Sequence, residues 1–260
     1  MVSSFSFNLD ESTLPNELIV FLQSSVLEDS SSSVESRTYK VIKDSEIYFL
    51  KIGPSELLSR EVDMNRFFNK FGLGPEAELF CTRVNKGYLV TRALSGENGI
   101  SKSHLSKPEK LAQSFGESLQ KIHGLPVSEC PIYDRSDEML NQALNNINIG
   151  KCADYLIPEG FMAGKKRFDE LRGLAKVDSV IHGDYCLPNI ILQNFDLVGF
   201  VDLGNGGYGD SHHDLYWGLW TLNYNLKTEK YNTAFLEAYG KDKVDHDRIE
   251  FHRILSGFMY

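Results

Sequence analysis

The sequence predicts an α+β chain in two lobes, a small strand-rich lobe over residues 1–94 and a larger, mostly helical lobe over residues 95–260. Three observations carry this expectation. Segments rich in β-branched and aromatic residues dominate the N-terminal part, helical periodicities dominate the remainder, and the turn-rich run Leu94-Ser95-Gly96-Glu97-Asn98-Gly99 separates them.

Each element can be justified in order. A short apolar run, Leu18–Leu22, comes first, and the serine tract Ser30–Ser33 reads as a loop. Arg37–Lys43 and Glu46–Ile52, parted by Asp44-Ser45, read as a β-hairpin that Gly53-Pro54 ends. Ser55 is placed to cap a helix over 56–71, in which Leu57, Leu58, Glu61, Met64, Phe67, Phe68 and Phe71 recur at helical spacing before Gly72 and Gly74-Pro75 stop it. Residues 77–83 and 87–93 read as further strands. After the turn-rich run, Ser106 and Pro108 open a helix whose face is lined by Leu111, Phe115, Leu119 and Ile122 through His123. Helices are expected over 137–147, 164–175, 211–224, 228–239 and 246–256, with short apolar strands around 178–181 and 190–202.

The bulk properties narrow the function. The 260 residues are 42% hydrophobic and 24% charged, an ordinary globular composition with length for a sizeable core. A net charge of −9 argues against nucleic acid or an anionic membrane as the partner. Cys81, Cys130, Cys152 and Cys186 form no CxxC and no zinc spacing, which fits reduced thiols in a cytoplasm. Neither a signal peptide nor an apolar run of membrane-spanning length is visible, so a cytoplasmic protein is expected.

The chemistry is concentrated in Val180-Ile181-His182-Gly183-Asp184-Tyr185-Cys186-Leu187-Pro188-Asn189-Ile190-Ile191-Leu192, followed by Gly199-Phe200-Val201-Asp202-Leu203-Gly204. Apolar runs flank a polar loop, so Asp184 and Asn189 are presented from one loop and Asp202 from the end of the next strand. Phosphoryl transfer requires such a set: one carboxylate to orient and deprotonate the acceptor hydroxyl, and oxygen ligands to hold magnesium against the phosphates. The Asp-to-Asn spacing equals that of the protein kinase catalytic loop, and Asp202-Leu203-Gly204 stands where kinases carry D-F-G.

On these residues the chain resembles the aminoglycoside phosphotransferases, and within them the 3′-phosphotransferase branch. HGDYCLPNIIL with GFVDLG carries the likeness; YKVIKDSEIYFLKIG at Tyr39–Gly53, LQKIHGLPVSECP at Leu119–Pro131 and YGKDKVDHDRIEFHRIL at Tyr239–Leu255 extend it over nearly the whole chain. The resemblance implies a protein-kinase-like fold, with residues 1–94 as the nucleotide-binding lobe and 95–260 as the catalytic and acceptor-binding lobe. It implies ATP or GTP with Mg2+ as cofactors. Lys51, paired with Glu61, would contact the non-transferred phosphates, and the backbone of Thr91 and Ala93 would meet adenine. Ser30–Ser36, which lacks G-x-G-x-x-G, would cover the phosphates. Asp184 would be the base, Asn189 and Asp202 the metal ligands, Asp210 a brace of the catalytic loop, and Asp214 a structural residue at a helix start.

For the acceptor, the resemblance implies a small molecule, an aminoglycoside, with Asp154 and Glu159 as amine contacts. The chain departs from the pattern here. Asn205 follows D-L-G where the family carries Arg, the tail Ser256-Gly257-Phe258-Met259-Tyr260 has no carboxylate side chain, and Lys165 and Lys166 lie close to the acceptor loop. Trp217 and Trp220, with Tyr216 and Leu219, read as core, and the adjacent His212 and His213 make a poor metal pair. Two alternatives remain beside the aminoglycoside: another small hydroxyl compound as acceptor, or a nucleotide-binding kinase homologue without turnover.

Overall fold

The computed structural model describes residues 11–32 and 36–260. It divides into two compact units: the described residues up to Ser95 together with Gly199–Gly204, and Gly96–Val198 together with Asn205–Tyr260.

The first unit opens with α1 (Asn16–Leu22) and β1 (Val26–Ser32), so Ser30–Ser32 belong to a strand where the sequence suggested a loop. Strand pairing with β2 (Arg37–Lys43) supplies the backbone hydrogen bonds that outweigh serine's turn preference. The expected Ser30–Ser36 phosphate cover lies partly outside the described residues, at positions 33–35. β3 (Glu46–Pro54) follows β2 through Asp44 and Ser45 at φ 50° and 67°, the left-handed pair a tight hairpin needs. Gly53 and Pro54 are the last residues of β3 and do not end it early. In α2 (Ser55–Lys70) Pro54 occupies the capping position with no side-chain cap, so Ser55 begins the helix instead of capping it. β4 (Ala77–Arg83) and β5 (Lys86–Arg92) complete an antiparallel sheet in the order β1-β2-β3-β5-β4.

The two faces of this sheet are covered differently. Leu14, Leu18 and Leu22 pack with Tyr39, Val41, Leu50 and Val90 on one face. On the other, Leu58 and Val62 of α2 pack on Leu89. Lys51 sits opposite Leu89 in the β3–β5 register. Side chains alternate along a strand, so Lys51 is delivered to the α2 face while its neighbour Leu50 is buried on the other.

In the second unit, β6 (Glu97–Asn98) and the short α3 (Lys102–Leu105) precede α4 (Pro108–His123), α5 (Arg135–Asn148) and α6 (Phe161–Leu171). Then come β7 (Ser179–Ile181), β8 (Ile190–Gln193) and β9 (Asp196–Phe200), whose last two residues belong to the first unit. The 190–202 segment is therefore a hairpin, turned by Asn194 and Phe195 at φ 53° and 74°. β10 (Gly207–Gly209) pairs antiparallel with β7 and was not legible in the sequence, being short and glycine-rich. α7 (Ser211–Leu226), α8 (Asn232–Tyr239) and α9 (His246–Met259) complete the unit. Its core gathers Met139, Ile157, Phe168, Trp217, Phe251 and Phe258 from α5, α6, α7, α9 and the α5–α6 connection. Among the described residues, no helix is long and apolar enough to cross a membrane.

Candidate functional site

In the first unit, Lys51 Nζ lies 2.8 Å from Glu61 Oε2 and 2.5 Å from Asp202 Oδ1. Glu61 is buried on α2, and burial pushes its carboxyl up against the opposing pull of Lys51. Burial works to lower the Lys51 ammonium, but the Glu61 and Asp202 carboxylates outweigh it and hold its pKa above the ordinary value. Asp202 reaches Lys51 from a left-handed backbone conformation, φ 60°, which costs a non-glycine residue about 1–3 kcal/mol. The turn is held by the Phe200 N–H, which donates to Leu73 O at 2.8 Å, and by the edge-on packing of Phe200 against Phe68. Gly204 admits Glu61 closely: a Cβ there would meet its Oε2 at 3.3 Å.

The expected adenine contacts are narrowed. β5 is an interior strand, with Thr91 opposite Phe49 and Ala77. The Ala93 N–H donates to Ile47 O at 2.9 Å, so an adenine contact from Ala93 falls to its carbonyl.

In the second unit, the loop after β7 carries Asp184 and Asn189. Gly183 takes φ 78°, and a Cβ there would fall 1.9 Å from Asn205 O, so only glycine fits. Asn189 Nδ2 donates to the Asp184 backbone O and to its Oδ2, both at 3.0 Å. The Cys186 thiol donates to Asp184 Oδ1 at 3.3 Å, while burial, reinforced by Asp184, pushes that thiol far up and keeps it protonated. Both oxygens of Asp184 are thus oriented. Tyr185 anchors the loop from below, stacked on Phe115 at 4.3 Å with its hydroxyl donating to Phe115 O.

Asp214, expected only to start a helix, is the brace of this loop. Its Oδ2 accepts the His182 N–H at 2.6 Å and its Oδ1 the Gly183 N–H at 2.9 Å. Burial opposes its ionisation, yet His123, 3.3 Å from Oδ2, and the neighbouring His182 and His213 hold its pKa below the ordinary carboxylate value. His213 Nε2 lies 3.2 Å from Gly183 O, and burial drives its pKa down to about 3, so the ring is neutral and donates there.

The brace expected of Asp210 is therefore a correction. Asp210 bonds elsewhere: it caps α7 through the His212 N–H, accepts the Lys176 N–H, and pairs with Arg248 at 2.5 Å. It lies four residues, one helical turn, before Asp214. Asp178, Asp210 and His212 come close enough together to suggest a metal, but Arg248 bridges both carboxylates and His212 Nε2 accepts the Asp245 N–H. That cluster is a salt-bridged tie of α9 to Asp178 and to the start of α7.

Each unit by itself offers an oxygen donor of the kind magnesium takes. The Asn189 amide nitrogen is engaged by Asp184, which leaves its carbonyl oxygen as a ligand, and the Asp202 side chain is 49% exposed. The acceptor residues are less uniform. Asp154 is exposed. Glu159 Oε1 is 2.5 Å from Arg253 Nη2, whose hydrogen bond lowers its pKa against opposing burial. Lys165 pairs with Asp169 on α6.

Residues 27–252 match the profile of the family described as "Phosphotransferase enzyme family". A "Probable aminoglycoside 3'-phosphotransferase" from Lactococcus lactis subsp. lactis is 36% identical over 91% of both chains. An "Aminoglycoside 3'-phosphotransferase" from Niallia circulans is 29% identical over 81% of this chain and 83% of its own. Among solved structures, an aminoglycoside-3'-phosphotransferase of type VIII superposes with a TM-score of 0.72 at 22% identity, covering 90% of this chain and 93% of its own. APH(3'')-Id from Streptomyces rimosus, solved with ADP and streptomycin, gives 0.73 at 21% identity, covering 90% and 92%. These likenesses show the protein-kinase-like fold.

Proposed function

Because the chain belongs to the phosphotransferase enzyme family, we propose that it transfers the γ-phosphoryl group of ATP to an aminoglycoside, at the 3′-hydroxyl of a kanamycin-type drug. Transfer to a hydroxyl is the family's chemistry; the acceptor is the reading that the relatives' names support. The observation that carries the phosphotransferase reading is Lys51 held between Glu61 and Asp202, an ammonium fixed to grip a polyphosphate. ATP or GTP fits the same residues.

Asp184 orients the acceptor hydroxyl and accepts its proton as the hydroxyl oxygen bonds to the γ-phosphorus and the bond to the β-phosphate oxygen breaks, releasing the nucleoside diphosphate. Lys51, steadied by Glu61, holds the non-transferred phosphates. The Ala93 carbonyl faces adenine, Thr91 being paired with Phe49 and Ala77 within the sheet. Magnesium, when bound by Asn189 Oδ1 and Asp202, would neutralise phosphate charge. Positioning and electrostatics carry the rate, as this reaction requires. Both substrates meet in the cytoplasm, where the nucleotide is made.

The test is direct: incubate the protein with Mg-ATP and kanamycin, follow nucleoside diphosphate release, and locate the new phosphate on the product by phosphorus NMR. A 3′-phosphorylated drug is expected; no release with kanamycin or neomycin refutes the acceptor. A second reading, a less cationic hydroxyl compound as acceptor, is favoured by Glu159 being held by Arg253. A panel of sugars and nucleosides in the same assay distinguishes it.

A further inference from the structure

We propose that an aromatic strip on α7, Trp220 and Tyr224 with Tyr260 beside it, forms the acceptor's subsite and takes the face of an amine-bearing sugar ring. This rests on the aminoglycoside reading and names what holds the drug.

Trp217, Trp220 and Tyr224 recur at helical spacing and so share one face of α7. Consecutive rings touch: Trp217 meets Trp220 edge-on at 5.4 Å, and Trp220 lies parallel to Tyr224 at 5.1 Å with 6° between their planes. The strip climbs out of the core. Trp217 is 7% exposed, Trp220 half-buried, and Tyr224 58% exposed. Trp220 packs on the core cluster, as expected, from a half-buried position at its rim. At the buried end Tyr260 stands edge-on to Trp217 at 6.1 Å and is itself more than half exposed.

The helix that carries the strip runs beside the loop that carries the base. Thr221, next to Trp220, accepts the Leu187 N–H of the catalytic loop at 3.3 Å. Cys186, bonded to Asp184, packs on the core cluster that contains Trp217. Contiguous rings reaching the surface are a feature of ligand surfaces.

Its chemistry suits amines. Ring faces attract ammonium groups, and Lys227 Nζ already sits 4.0 Å over Tyr224. A drug ammonium would take that place while the flexible lysine stem swings clear. The strip thus adds to the attraction of the exposed Asp154, since Glu159 is held by Arg253.

The chain's two tryptophans both lie in the strip, so intrinsic fluorescence reports on it directly. Titrating wild type with kanamycin, without nucleotide, should quench that emission. Trp220→Leu and Tyr224→Leu should each raise the kanamycin KM by roughly five- to tenfold with the ATP KM unchanged, and Trp220→Phe should stay within about threefold. Thermal melts confirm that the variants fold. Wild-type turnover with both leucine variants within about twofold in kanamycin KM overturns the strip and leaves the acceptor standing. A wild type that neither binds nor phosphorylates any aminoglycoside overturns both.

Discussion

Asp214 Oδ2 accepts the His182 N–H at 2.6 Å while its other oxygen accepts the Gly183 N–H, so one buried carboxylate fixes the backbone immediately before Asp184. Asp214→Ala should leave both N–H groups unpaired in the interior and destabilise the protein by about 2–4 kcal/mol. Calorimetry should show a clear fall in Tm, and kcat should fall at least about a hundredfold in protein that still folds. An Ala variant with wild-type Tm and kcat would remove the brace.

Lys51 acts between two acids, so its partners should not contribute independently. Lys51→Ala should raise the ATP KM by roughly tenfold or more, and Glu61→Gln by less. The double variant should be little worse than Lys51→Ala alone, because groups that work as a unit are not additive. Steady-state kinetics on the four proteins checks this; additive losses would contradict it.

Asp202→Ala should raise the magnesium concentration needed for half-maximal rate, and Asn189→Ala should do the same more weakly, since a neutral carbonyl is the weaker ligand. Magnesium titrations at saturating ATP read both effects. Unchanged titration curves in both variants would remove the ligand assignment.

His213 predicts an acid dependence of stability. Its folded pKa of about 3 lies below the unfolded value near 6.5, so between those limits the unfolded chain binds the extra proton. Stability is then highest above pH ~6.5 and falls with acid by at most about 1.4 kcal/mol per pH unit. Asp214, with its depressed pKa, adds its own loss only as pH drops through the carboxylate range. Urea melts from pH 7.5 to 5 should show the slope in wild type and a shallower one in His213→Asn, which keeps a donor to Gly183 O.

How far the sequence could be read follows from which interactions are local. The hairpin of β2 and β3, α2, and the elements bearing Asp184, Asn189 and Asp202 were legible because pattern and turn residues determine them over a few positions. The strand character of Ser30–Ser32 and the pairing of Gly207–Gly209 were not, since both depend on a partner strand and not on propensity. At the site, Lys51 and Glu61 were found by analogy, and their meeting follows from strand alternation against α2. The exchange of roles between Asp210 and Asp214 was not legible: Asp210 caps α7 and Asp214 lies in its first turn, and only the tertiary placement of the β7 loop and of Arg248 decides which one each group meets. The contact of the Cys186 thiol with Asp184 was not legible, because a thiol within a catalytic motif has no pattern of its own.

The central claim is that Asp184 is the base of the transfer. Asp184→Asn keeps the shape and removes the charge, and its kcat with kanamycin should be measured beside its ATP affinity by calorimetry. The account predicts a kcat loss of about a thousandfold or more with ATP affinity within about threefold of wild type. A variant turning over within about tenfold of wild type would contradict it.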